Sequence, residues 1–319
     1  MKAVILAAGK STRMKSEKTK MAHTILGREI IRYLLDSLYS CGLKAEDIVI
    51  VVGDNEAEIR NIVREGVGYA RQQPQLGTAH ALLAAAHHIR NFEGELIVTV
   101  GDNPYITTAE LQRLIDHHHA RQAACTFISA IFPESPPPYG RVLRDPAGKV
   151  TGVVEEIDAT PEQKTIREVN SSIYLLDNKI AFPLLTQIND HNSKKEFYLT
   201  DIIGLLVAAN NQVEASQALD YRISIGINNR WELQQAQAEM NRVNLQRLSL
   251  EQGVTILQPE SVTIELDVTI GSDTTIFPNT YIAAGTRIGK NCHIGPFTFL
   301  QGVIIPDGQS VSFQKRTAP

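Results

Sequence analysis

The strongest constraint on the fold lies near the end of the chain. Ile264, Ile270, Ile276, Ile282, Ile288, Ile294 and Leu300 recur every six residues. Two places before each stands a small or β-branched residue: Val262, Val268, Thr274, Thr280, Thr286, Cys292 or Thr298. An ordinary strand alternates with period two and a helix with period 3.6, so neither explains this spacing. It is the hexapeptide signature of a parallel β-helix. Each hexad is one short strand and a corner, three close a triangular coil, and each aliphatic residue stacks on the one below. Two to three coils are expected over residues 253–312, followed by a loose basic tail at 313–319. So short a coil leaves open ends and an exposed flank, which predicts self-association.

Upstream, short apolar strands alternate with amphipathic helices. Strand "AVILAA" precedes helix "REIIRYLLDSLYSCG", which ends on a glycine stop. Strand "DIVIVVGD", helix "EAEIRNIVREG" and strand "GELIVTVGD" follow. In "TTAELQRLIDHHHARQ", Thr107 and Glu110 predict a capping box. "ACTFISAIF" is a further strand. "YGRVLRDPAGKVTGVVEE" places two apolar runs around the turn signal "DPAG" and predicts a hairpin. "NSSIYLLD" and "SQALDYRISIGI" add late strands, and residues 229–252 form a long polar connector helix. The alternation predicts an α/β domain over residues 1–228: a Rossmann-like, mixed but mainly parallel sheet with helices on both faces.

With 319 residues, two domains can each bury a core. A net charge of −4 gives no electrostatic footprint for nucleic acid. No apolar run reaches membrane-spanning length, and "AVILAAG" meets charged residues too soon to be a secretory signal. Cys41, Cys125 and Cys292 are scattered, with no C-x-x-C spacing. They are expected to be buried, reduced thiols of a cytoplasmic protein, without a zinc site.

The opening "LAAGKST" asks whether a phosphate is gripped there. A Walker A loop would need glycine at position 4, which is Val4, and a dinucleotide fingerprint needs more glycines than Gly9. What remains is a strand, small residues that let a ligand approach the backbone, and the cations Arg13 and Lys20. Turn amides of this kind can bind anionic oxygens. On this motif alone, that reading and an ordinary βα turn with basic surface residues stand level. Further along, "QLGTAHA" puts Gly77 and Thr78 at the mouth of a helix, where a base or phosphate could lie. "TVGD" sets Asp102 at the C-terminal end of a buried strand, a favoured place for a metal ligand facing a nucleotide. Asn228 in "GINNR" offers a neutral oxygen. Gly140, Glu155 and Asn170 are polar groups or glycine at strand ends, suited to sugar hydroxyls.

The order of these stretches carries a resemblance. "LAAGKSTRM", "QLGTAHA", "GD", "YGR", "GKVTGVVEE", "EVN", "FYLTDII" and "GINNR" resemble, in sequence, the motifs of the sugar-nucleotide pyrophosphorylases, in particular the uridylyltransferase half of bifunctional enzymes that make UDP-N-acetylglucosamine. The similarity covers about residues 3–230, and the β-helix, left-handed in that family, follows. The resemblance implies transfer of UMP from UTP to N-acetylglucosamine-1-phosphate, with release of pyrophosphate and with Mg²⁺. It assigns Leu6, Ala7, Ala8 and Gly9 to the nucleotide. Arg13 and Lys20 take the triphosphate, and Gln72, Gln75, Gly77 and Thr78 the uracil and ribose. Asp102 and Asn228 are the expected metal ligands. Gly140, Glu155, Asn170, Tyr198 and Thr200 are expected around the sugar phosphate. It also implies a homo-oligomer, a trimer through the β-helix, and no membrane or nucleic-acid partner.

Four positions depart from the family pattern. Ser11 replaces a glycine and is tolerable if its φ is negative. Thr19 replaces a proline, predicting a less rigid lysine loop. Val100 replaces a tyrosine, and Ser172 replaces a glycine beside the sugar pocket and is expected to reshape it. Acetyltransferase activity is not expected, because the hexads are few and His293, on a corner, reads as a surface residue. The adjacent histidines 117–119 point about 100° apart on a helix and cannot converge on one ion, so a solvated helix end is expected; the same objection holds for His87 and His88. His80 is expected to pack its loop, and "PESPPPYG" to form a stiff, mobile flap. The competing readings are a nucleotidyltransferase for another sugar-1-phosphate and a non-catalytic nucleotide-sugar-binding regulator. The joint presence of Arg13, Lys20, Asp102 and Asn228 speaks against the latter.

Overall fold

The computed structural model describes residues 1–64 and 66–318. They divide into two compact units, residues 1–22 with 30–227, and residues 23–29 with 228–319.

The first unit is built on a nine-stranded sheet. Its strands are β1 (Lys2–Leu6), β2 (Ile48–Val52), β3 (Gly68–Arg71), β4 (Glu95–Val100), β5 (Cys125–Ile131), β6 (Arg141–Arg144), β7 (Val150–Val154), β8 (Glu168–Asp177) and β9 (Val213–Gln217). The order is β9-β5-β8-β4-β1-β2-β3, with the β6–β7 hairpin attached to β8. All neighbours in the main path are parallel except β8, which runs antiparallel to both β4 and β5. The expected mixed, mainly parallel sheet is therefore present.

Alternation along the central strands explains the two-sided burial. Ala3, Ile5, Ile48, Ile50 and Val52 enter one apolar core, with α1 (Ile30–Ser40), α2 (Glu56–Val63) and, later in the chain, the helix at Thr108–Arg121. Val4, Val49 and Val51 enter the opposite core, with α3 (Thr78–Ala84). The helices α4 (Thr108–Arg121), α5 (Asn178–Leu185) and α6 (Asp201–Ala208) complete the two covers. Successive strand side chains point to opposite faces, so a strand buried on both sides is apolar throughout.

Local chemistry sets several element ends. Thr107 Oγ1 accepts the Glu110 N–H at 3.3 Å and starts α4. The capping box is only half made, because the Glu110 carboxylate instead accepts the Leu219 N–H at 2.9 Å. Asp177 caps α5 by accepting the Ile180 N–H at 3.2 Å. The strand expected over "SQALDYRISIGI" is confined to its first residues. There Asp220 accepts the Arg222 N–H at 2.9 Å and closes a 3-10 turn at Tyr221–Ser224. Strand β3 and helices α5 and α6 have no counterpart in the sequence reading.

In the second unit, helix α7 (Arg230–Gln252) is capped by Asn229, whose Oδ1 accepts the Trp231 and Glu232 N–H groups, both at 2.9 Å. Gly253, at φ 68°, ends it. Beyond it run three stacks of short parallel strands, of four, four and three members. Most rungs repeat after 18 residues, as in Val262↔Thr280↔Thr298 and Ile276↔Ile294. The hexad aliphatics are buried, from Ile264 to Leu300, with the residues two before them. The stack extends past the expected limit: Lys315–Thr317 pairs with Phe299–Gln301, so the tail is a strand and not loose. The hairpin Thr24–Ile25/Arg28–Glu29 belongs to this unit, held by Leu26 N–H on Gln237 Oε1 (2.9 Å) and Arg28 on Asp267 (3.0 Å).

Cys41, Cys125 and Cys292 are free thiols; the latter two are buried and Cys41 half-buried. Among the described residues no helix is long and apolar enough to cross a membrane.

Candidate active site

Parallel strands bring their C-terminal ends to one sheet edge, and there the site forms. Leu6 ends β1 and accepts the Gly101 N–H at 3.1 Å from the end of β4. Ala7 donates its N–H to Val51 at 2.8 Å, at the end of β2. The chain then passes Ala8 and the exposed Gly9. Gly53 must be small here: a Cβ on it would lie 2.7 Å from the Ala8 carbonyl oxygen. Asn55 ties these turns together, accepting the Gly53 N–H (2.9 Å) and donating to Ala7 O (2.8 Å).

Around this edge lies a cavity of about 530 Å³, lined by Ala8, Gly9, Lys10, Ser11, Asn55 and Gln75 among others. It is open, and the cations Lys10 and Lys18 line it together with the carboxylates Glu17, Asp54 and Glu58. Ser11 has φ 54°, so the condition of a negative φ is not met. Its hydroxyl accepts the Lys20 N–H at 3.1 Å. Thr19, expected to loosen the lysine loop, instead anchors it. Its N–H, which proline would lack, donates to Glu58 Oε2 at 2.7 Å, and its hydroxyl accepts from Asn55 at 3.1 Å. Lys20 Nζ pairs with Asp102 Oδ2. Arg13 is exposed on the short 3-10 turn Thr12–Met14.

One continuous set of contacts joins most of the expected base and sugar residues. Gln72 donates to Gly77 O (2.9 Å), and its amide meets His80 Nδ1 at 3.1 Å, so His80 does pack the loop. Gln75 donates to Ala8 O. Gly77, at φ 113°, lies so close to Phe197 that a Cβ would come within 2.5 Å of that residue's carbonyl oxygen. Thr78 Oγ1 accepts the Leu199 N–H at 2.9 Å. Next along, Thr200 Oγ1 donates to Glu155 Oε1 at 3.0 Å. Glu155 faces Gly140, where a Cβ would be 3.5 Å from its Oε1, and Gly140 O accepts the Asn170 N–H at 2.9 Å. Asn170 donates to Tyr174 Oη (2.6 Å) and accepts the Ser172 N–H (3.2 Å). Ser172 stands at φ 57° in the β8 bulge, a local kink that turns it beside Asn170.

Burial dominates the electrostatics of this end. It pushes the Glu155 carboxyl above the usual range, opposed by the Thr200 hydrogen bond. Asp201 is raised too, by burial and then by the charges of Glu155 and Asp158. Tyr198 is pushed up to about 12, mainly by burial, and its Oη is buried with no hydrogen-bond partner of ordinary geometry among the described residues. The flap "PESPPPYG" is pinned by buried Arg141, which donates to Pro137 O (3.1 Å) and Tyr139 O (2.5 Å).

Asp102 lies in the turn two residues past β4, at 9% exposure. Its carbonyl accepts the Ile227 N–H at 2.9 Å, and a Cβ on Gly226 would lie 3.1 Å from its Oδ1. Asn228, the next residue in the chain, opens the second unit, and its N–H donates to Glu232 at 2.7 Å. No group of three or more His, Cys, Asp or Glu side chains suited to a metal occurs among the described residues. A lone carboxylate suits magnesium, which is usually bound through one or two carboxylates plus substrate phosphates. The histidines of α4 do not converge. His118 is buried on Thr126 Oγ1 (2.9 Å), which corrects the expected solvated run, while His117 and His119 face Glu214 and Glu95.

Asn55, Glu58 and Asn103 were not singled out from the sequence. A signal was available: "VGDN" occurs twice, at 52–55 and 100–103, on the two strands that flank β1. In each copy the asparagine pins a neighbouring turn. Asn103 accepts the Tyr105 N–H and donates to Ile223 O, as Asn55 does for Gly53 and Ala7.

A cavity at the strand ends beside a glycine turn, together with a lysine–aspartate pair just past the end of β4, fits a nucleotidyltransferase. The chain belongs to the MobA-like NTP transferase family, whose model matches residues 3–167. Residues 267–302 match the bacterial transferase hexapeptide repeat. The chain is 37% identical over 311 residues to the bifunctional protein GlmU of Brevibacillus brevis, covering 98% of this chain and 67% of that protein. It is 39% identical over 305 residues to the GlmU of an Exiguobacterium species, covering 96% and 67%. The chain thus spans about two thirds of the length of these relatives. A Bacillus anthracis protein assigned as a glucose-1-phosphate thymidylyltransferase shares the fold, with a TM-score of 0.60 at 19% identity, over 75% of this chain and 94% of that one.

Proposed function

We propose that this nucleotidyltransferase moves UMP from UTP to N-acetylglucosamine-1-phosphate, giving UDP-N-acetylglucosamine and pyrophosphate. The observation that carries the reading is the run of hydrogen bonds and near neighbours from Gln72 through Thr78, Leu199 and Thr200 to Glu155, Gly140 and Asn170. Its residues were assigned from the sequence to opposite ends of one substrate pair. Leu6 to Gly9 line the nucleotide, with Gln72, Gln75, Gly77 and Thr78 at the base and ribose. Gly140, Glu155, Asn170, Tyr198 and Thr200 bind the sugar phosphate.

The nucleophile is a phosphate oxygen already charged, so no general base is required. The barrier lies in bringing two polyanions together, since like charges repel strongly in a partly dry site. Lys20, Arg13 and the loop amides offset that repulsion and receive charge growing on the leaving group. Asp102 would hold Mg²⁺. The chemistry magnesium supplies there is charge neutralisation on the phosphates. The fixed loops align the attacking and leaving oxygens. The hexapeptide repeat supports assembly as a trimer.

Pyrophosphate release, measured with UTP, dTTP and CTP against a panel of sugar-1-phosphates, tests this. UTP with N-acetylglucosamine-1-phosphate should be the best pair. A better rate with another sugar would favour the second reading, a nucleotidyltransferase for a different sugar-1-phosphate, which the Ser172 conformation supports. No release with any pair would defeat both.

A further inference from the structure

Asp102 is nearly buried, and a carboxylate in that position needs a positive partner. Its partner is the ammonium of Lys20. The main chain around Lys20 is fixed, by its own N–H on Ser11 and by the Thr19 N–H on Glu58. Its side chain is a flexible four-carbon stem that can swing without moving that loop. Lys18 and Thr19 line the cavity for the phosphate chain, but Lys20 does not, and its ammonium pairs with Asp102. Gly226 packs against another side of the carboxylate, where an added Cβ would lie 3.1 Å from Oδ1. Lys20 Nζ and an arriving cation would compete for the same carboxylate.

We propose that Lys20 is a built-in stand-in for the divalent cation. It holds Asp102 in the substrate-free protein, gives up the carboxylate when a cation binds, and turns its ammonium to the phosphate chain. This rests on the nucleotidyltransferase reading above and deepens it, by making metal and nucleotide binding mutually supportive. Lys20 serves the phosphates only after Asp102 has another positive partner, so each ligand favours the other by the same factor.

The test uses the full chain and Mn²⁺ alone, without nucleotide, with free metal followed by electron paramagnetic resonance. Lys20→Met keeps the stem and removes the charge. It should bind Mn²⁺ about tenfold more tightly than the unaltered protein, an ordinary size for coupling between groups. Asp102→Asn should abolish that binding in either background. Equal or weaker binding by K20M, with D102N still defective, overturns the exchange and leaves the metal assignment standing. Identical binding by D102N and the unaltered protein overturns both. A second measurement needs no variant: Mn²⁺ should increase acetylation of Lys20 by acetic anhydride, read by mass spectrometry. No change, or protection, overturns the proposal.

Discussion

The Thr19 N–H donates to the Glu58 carboxylate at 2.7 Å, so that helix α2 holds the loop that carries Lys20. Glu58→Ala leaves a mostly buried donor unpaired, which costs about 1–3 kcal/mol. Urea unfolding should show that loss, and pyrophosphate release should fall with it. Glu58→Gln keeps an acceptor oxygen and should retain most of both. Equal stability of E58A and the unaltered protein would remove Glu58 from this role.

Ser11 combines a strained backbone with a useful hydroxyl. A non-glycine residue in the left-handed region costs about 1 kcal/mol, and the bond from the Lys20 N–H returns a similar amount. Ser11→Gly relieves the strain and loses the bond, so its stability should stay within about 1 kcal/mol of the original. Ser11→Ala keeps the strain and loses the bond, and should be the less stable of the two in denaturant titration.

Glu155 makes stability depend on pH. Burial raises its folded pKa above the unfolded value, so the folded state holds the proton over a range where the unfolded state has lost it. Stability is therefore favoured below the ordinary glutamate range. It declines as pH rises from there through the raised folded pKa, and the full cost is present above it. Glu155→Gln preserves an acceptor for Thr200 and should flatten that decline in melting temperature against pH. It should also weaken sugar-phosphate binding, read as a raised KM. An unchanged pH profile would show that this carboxyl is not the source.

Activity should respond sharply at the ion pair. Lys20→Ala should lower kcat on the order of 10²-fold, the scale of losing one donor that meets charge in the transition state. Asp102→Ala should abolish turnover. Pyrophosphate release at saturating UTP measures both, and full rate in D102A would refute its role.

The repeat of Ile264 to Leu300 was legible because every hexad faces the same interior, so one rule governs each position. The strands β1, β2 and β4 were legible for a related reason: they are buried on both faces and read as continuous apolar runs. Strand β3 was not, since "GYAR" carries no run at all and is a strand only because β2 pairs with it. The positive φ of Ser11 and Ser172 could not be read from side-chain chemistry, because each is imposed by the loop closing around it. Thr19 shows the same limit. Loss of a proline suggested slack, but the N–H gained found a carboxylate that lies 39 residues away in sequence.

The Thr78–Leu199 hydrogen bond has a wider meaning. It stitches the stretch that would read the base to the stretch that would read the sugar. Discrimination at the two ends then shares a common frame, and neither end can be re-cut alone. Efforts to broaden the choice of nucleotide in this chain should begin by expecting altered tolerance for the acceptor as well.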